Sequence, residues 1–140
     1  MSTDPPSRPS PRPLPPDLSV DALTVYIYRH FSHLLTEEEL AAKRVRTGRA
    51  KQLYSSDPDG SCALEFFGVP EVQAKYPHLM RRIDEHGLAR VMRSAAERVL
   101  RDNPEKKILH TCPKCGALCR TPRAQQCFEC SFDWHPKESN

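Results

Sequence analysis

Apolar positions from Leu18 onward recur at three- and four-residue steps: Val20, Leu23, Ile27, Phe31 and Leu34 fall on one stripe. That spacing is the signature of an amphipathic helix, and it predicts one ending near Leu35, with Ser19 as its N-cap. The segment VYIY alone has strand propensity, but the longer period decides for helix. Thr36 followed three residues later by Glu39 forms a capping box, so a second helix starts there. Glu37, Glu38 and Glu39 suit the positive end of its dipole, and the basic residues Lys43, Arg44, Arg46, Arg49 and Lys51 lie toward the other end.

Beyond Tyr54 the run SSDPDGS has turn chemistry, with Pro58 fixing φ and Gly60 free to adopt positive φ. The apolar block CALEFFGV follows, and Cys62 inside it is expected to be a buried small hydrophobe. Helical spacing resumes after Pro77 through Leu79, Met80 and Ile83, then Leu88, Val91, Met92, Ala95 and Val99. Gly87 interrupts this pattern and allows two helices, while Asp102, Asn103 and Pro104 form a stop signal. Residues 18–103 therefore read as three or four helices. None is long enough to be stable alone, so their stripes must face one another in a small helical bundle.

The N-terminal stretch is different. Seven of the first 16 residues are proline, which removes backbone donors and leaves no apolar set to bury. Residues 1–17 are expected to form a disordered, Pro-rich tail that spaces or solubilises, with docking of a PxxP type as the alternative.

Composition narrows the class. A chain of 140 residues holds one compact domain and a small satellite, and 28% charged residues with no long apolar run exclude a membrane-spanning helix. No secretory signal is recognisable at the N-terminus, so a reducing cytoplasm is expected, where clustered thiols bind metal or do redox chemistry more often than they form disulfides. The net charge of +3 is thinly spread. If four cysteines bind zinc as thiolates, the C-terminal segment becomes neutral, and no segment then has the basic excess typical of phosphate-held nucleic-acid binders.

Five of the six cysteines lie within residues 110–135, in HTCPKCGALCRTPRAQQCFECSFDWH. Cys112, Cys115, Cys127 and Cys130 have the spacing C-x2-C-x11-C-x2-C, in which two tight turns each offer two thiolates to one tetrahedral ion. One structural Zn2+ is expected, with iron at the same ligands as the alternative. Gly116 suits the sharp turn after the first pair, and Ser131 takes its place after the second. The flanking ILH and FDW are expected to add short strands, giving a zinc ribbon over residues 104–137 that metal binding must hold together. Phe132 and Trp134 are expected to cover the site or touch the helices, with an exposed aromatic platform as the alternative.

The motifs CPKCG and CFEC are similar to those of short prokaryotic zinc-ribbon modules, whose pattern is CPxCG, a loop, then CxxCG. The resemblance covers residues 110–135 only. It implies structural zinc at Cys112, Cys115, Cys127 and Cys130, and departs from the pattern at Ser131 and at the extra Cys119. Members of this family have nucleic-acid, ribosomal and protein-contact roles, so the resemblance implies the module and leaves its partner open.

There is no H-E-x-x-H, no G-x-S-x-G and no phosphate-binding glycine loop, and His30 and His33 read as ordinary surface or boundary residues. Four cysteines close a zinc shell that catalysis would need open, so no enzyme and no small-molecule substrate is expected. The leading expectation is an adaptor or accessory factor with a protein partner. The alternatives are a nucleic-acid or ribosome-associated factor using Lys43, Arg44, Arg46, Arg49, Lys51, Arg120 and Arg123, and a redox-sensitive zinc switch using Cys119.

Overall fold

In the computed structural model the described residues are 14–54 and 61–135. The tail up to residue 13, residues 55–60 of the expected turn, and residues 136–137 at the end of the expected ribbon lie outside them. Six α-helices form among the described residues: α1 (Ala22–His30), α2 (Glu37–Leu53), α3 (Ser61–Phe66), α4 (Val69–Lys75), α5 (Pro77–His86) and α6 (Leu88–Asp102). The chain is mainly helical, with more and shorter helices than the three or four that periodicity implies.

The first helix begins and ends inside its expected bounds. Asp21, not Ser19, is the N-cap, its carboxylate accepting from the Thr24 backbone N–H at 3.0 Å. Ser19 instead donates to the Leu14 and Pro15 carbonyls, so Leu14, within the segment assigned to the tail, packs against the core. At the other end Phe31 leaves helical geometry, and a 3-10 turn over Ser32–Leu34 carries the chain to α2. The apolar stripe persists through this turn, because Phe31 and Leu34 still reach the core although the backbone has changed direction. Periodicity records which side chains face inward, and it is blind to a bend that preserves that face.

The Thr36 capping box forms as its sequence demands, with Glu39 N–H donating to Thr36 Oγ1 at 3.1 Å and Thr36 N–H to Glu39 Oε1 at 2.8 Å. The buried face of α2 consists of Ala41, Ala42, Val45 and Gly48. Small residues there let α3 and α4 approach closely: a Cβ on Gly48 would lie 2.7 Å from Val69 Cγ2. The apolar block after residue 60 does not behave as one buried unit. Leu64 packs on the core, but the short α3 turns Cys62 and Phe66 to solvent, which corrects the expectation of a buried Cys62.

Two further breaks follow from backbone chemistry. Gly68 takes φ +70° before α4, and Gly87 takes φ +87° between α5 and α6. The second break separates two amphipathic helices that pack on each other, and α6 lies against α1, α2 and α5. Its Leu88, Val91, Met92, Ala95, Ala96 and Val99 are all buried, so α6 is the spine of the core. Side chains beyond the apolar stripe also link it to α1 and α2. Arg98 reaches Glu39 and the Leu34 carbonyl, and Arg93 pairs with Asp21. No helix among the described residues is long and apolar enough to cross a membrane.

Candidate metal centre

The α6 stop at Asn103 releases the chain into a small C-terminal lobe. Its first anchor is Ile108, only 3% exposed within the helical core, whose carbonyl accepts from the buried Tyr26 hydroxyl at 2.6 Å. A second anchor joins the His30 ring nitrogen Nε2 to the Arg120 carbonyl at 3.1 Å. Leu118 also packs against the core. His30 therefore contacts the lobe, while His33 lies on the surface.

Within the lobe the two cysteine pairs are built alike. In the first turn the Gly116 N–H donates to the Cys112 carbonyl at 2.9 Å, and the Cys112 N–H donates to the Ala117 carbonyl at 2.9 Å. In the second, Ser131 N–H donates to the Cys127 carbonyl at 3.0 Å, and Cys127 N–H to the Phe132 carbonyl at 2.8 Å. Equivalent residues have equivalent backbone: φ is +76° at Gly116 and +65° at Ser131. Ser131 holds this left-handed conformation despite its Cβ, a strain glycine would not carry.

These turns bring the four sulfur ligands Cys112, Cys115, Cys127 and Cys130 within 4.8 Å of one another. The pairs Cys112–Cys130 and Cys115–Cys127 are 3.7 and 3.5 Å apart. Four sulfurs at about 2.3 Å from a central ion are separated by about 3.8 Å, so the cluster has the dimensions of a tetrahedral thiolate site. Backbone N–H groups point at sulfur as such a site requires: Lys114 and Cys115 toward Cys112 at 3.3 and 3.4 Å, Cys130 toward Cys127 at 3.4 Å. Desolvation raises the Cys112 thiol, yet those N–H groups outweigh it and hold its pKa down to about 6. A hydrogen bond from Ala117 lowers Cys115, but the adjacent Cys127, Cys130 and Cys112 sulfurs push it up to about 12. Such sulfurs compete for negative charge, and a cation among them lets all four ionise together.

No strand forms among the described residues: ILH enters no bridge and FDW enters one, and the lobe has two isolated bridges, Thr111 with Leu118 and Gln126 with Asp133. Each turn closes its own loop after a few residues, which leaves no length for a ladder. Cys119 is buried beside the cluster, with its N–H donating to the His110 carbonyl at 2.8 Å. Burial pushes its thiol up, and the Cys127 and Cys112 charges add to that.

Two of the lobe's aromatic side chains are exposed. Phe128 is 68% exposed and Phe132 37%, the latter stacked on Trp134 with ring centroids 6.0 Å apart. Cations lie over both phenyl rings: Arg120 at 3.3 Å from the Phe128 centroid and Lys114 Nζ at 5.6 Å from that of Phe132. Trp134 continues to the His110 ring, 6.0 Å away, whose Nε2 lies 2.6 Å from the Ala124 carbonyl. Lys114 and His110 thus join a strip that spacing alone did not single out, although both sit within two residues of a ligand cysteine.

Of the remaining sequence-derived cations, Lys43 and Arg46 line one depression together with Arg29. Arg44 donates to the Phe67 carbonyl and pairs with Glu71 at 3.4 Å, and Arg46 donates to the Leu18 carbonyl. Lys43 and Lys51 are exposed and Arg49 half-buried on α2, while Arg123 is exposed on the lobe. Compared with known proteins, the chain matches no family model, no curated protein and no solved structure.

Proposed function

We propose that this chain is a non-enzymatic zinc-ribbon protein whose metal-held lobe is a rigid contact surface for a protein partner. Zinc is the fitting ion because four thiolates in tetrahedral array suit its borderline softness. Four sulfurs also close its shell, so the ion's contribution is folding energy, of the order of 10–16 kcal/mol in small zinc peptides. The observation that carries the reading is the pair of exposed rings Phe128 and Phe132, with Arg120 over the first, Lys114 over the second and the half-buried Trp134 stacked on Phe132. Aromatic and arginine side chains on a preorganised surface are the composition of interface hot spots. Docking of the lobe through Ile108 and Arg120 couples that surface to the helical body.

A second reading, a nucleic-acid or ribosome-associated factor, draws on the same rings, because aromatic faces with adjacent cations also stack bases. It is weakened by Arg44 and Arg46, which already have intramolecular partners. Affinity capture of the full chain with and without nuclease, repeated with Phe128→Ala/Phe132→Ala, decides between them. Nuclease-resistant partners that the variant fails to hold support the protein-contact reading. Partners lost with nuclease, in a manner steeply weakened by salt, overturn it in favour of the second. Metal analysis of the purified protein should find one zinc per chain and no iron colour.

A further inference from the structure

The α5–α6 hairpin gathers cations that neither the metal lobe nor the α2 basic run includes. Arg82 and His86 are one turn apart on α5, and Arg90 and Ser94 one turn apart on α6. Gly87 folds the two helices together, so all four side chains line one depression with Val91, and no carboxylate among the described residues lines it. The other α6 arginines are differently placed. Arg93 pairs with Asp21 and Glu97, Arg98 with Glu39 and Asp102, and Arg101 with Asp102. Among the described residues Arg82 and Arg90 form no ion pair, and the ion pair of His86 is with its neighbour Glu85 at 3.8 Å.

We propose that this depression binds the phosphate of a small phosphomonoester. Two guanidinium groups lining one depression repel each other, and an anion bound between them relieves that repulsion. Arginine's planar fork offers paired N–H donors matched to two phosphate oxygens, and the Ser94 hydroxyl and His86 imidazole supply further donors to a third. The surroundings select a single terminal phosphate over a continuous polyanion. The adjoining groove shares Arg82, Val91 and Ser94 and is also lined by Glu38, Glu39 and Glu97 with Arg98 and Arg101, so its charges balance and it offers a second phosphate no net attraction.

The test is titration of the isotope-labelled, zinc-loaded full chain with inorganic phosphate and with phosphoserine, at constant ionic strength against chloride, followed by NMR. The expected result is saturable shifts confined to residues around Arg82, His86, Arg90 and Ser94, with affinity falling about tenfold or more in Arg82→Gln/Arg90→Gln. Lys43→Gln/Lys51→Gln should bind as the parent does. If the double variant does not fold, Arg90→Gln alone, at an exposed position, carries the comparison. Shifts that fail to saturate, that spread over all basic residues, or that survive the arginine substitutions overturn the proposal. So does equal competition by an oligonucleotide with no terminal phosphate, since that would make diesters sufficient.

Discussion

The Tyr26 hydroxyl on α1 donates to the Ile108 carbonyl at 2.6 Å, across 82 residues of sequence, and both residues are buried. This bond is the clearest tie between the helical body and the metal lobe. Tyr26→Phe leaves the carbonyl desolvated without a donor, which costs about 1–3 kcal/mol. The loss should be seen in chemical denaturation. Trp134, the one tryptophan, gives a local signal for the lobe. If the tie couples the two parts, the Trp134 transition in the variant precedes the loss of helix; an unchanged single transition would remove the coupling.

Metal removal separates the parts in another way. Chelation, or Cys127→Ser, should abolish stoichiometric zinc and shift Trp134 fluorescence, while far-UV helicity stays, since the core of α1, α2 and α4 to α6 contains none of the four ligands. Loss of helical signal in step with the metal would show that the body depends on the lobe.

The two knuckles differ at one left-handed position, which makes reciprocal substitutions informative. Ser131 at φ +65° carries a strain of about 1–2 kcal/mol that glycine relieves. Ser131→Gly should therefore tighten zinc by about 5- to 30-fold, and Gly116→Ser should weaken it similarly. No heavy atom lies within 4 Å of a Cβ placed on Gly116, so the second effect is conformational and not a clash. Competition with a chromogenic chelator measures both.

Arg98 bridges α6 to the α2 capping box, donating to Glu39 at 2.6 and 2.7 Å and to the Leu34 carbonyl at 3.0 Å. Removing it with Arg98→Ala should cost about 2–3 kcal/mol, because charge-assisted bonds in a partly buried setting lack a full solvent substitute. Thermal and urea unfolding read the change.

The same pair fixes the acid limb of stability. Burial raises the Glu39 carboxyl, but the Arg98 and Thr36 hydrogen bonds prevail and hold it below its ordinary 4.5. A depressed folded value means the contribution is present above the ordinary value and lost as pH falls through the folded one. The stability gap between the parent and Glu39→Gln should therefore shrink below about pH 4.5; a gap that stays constant would contradict the assignment. On the alkaline side, burial and then the Glu39 charge raise Tyr28 above 10. Its contribution is complete below pH 10 and declines as pH rises further, an effect Tyr28→Phe should remove.

Much of this molecule was written locally. The cysteine spacing specified the cluster because each knuckle is a turn of a few residues that forms with its own backbone hydrogen bonds. The Thr36–Glu39 box, the Gly87 break and the Asn103 stop were equally legible, since capping and left-handed backbone involve only neighbours in the chain. What tertiary structure alone decided are relations between distant residues. Asp21 displaced Ser19 as a cap while also meeting Arg93 on α6, and Cys62 turned outward because α3 needed only Leu64 inside. Arg44 and Arg46, read as one basic run with their neighbours, were drawn to separate partners, whereas Arg82 and Arg90 were brought to one depression between two helices. A sequence states which charges exist, but their pairing depends on distances in space that packing sets.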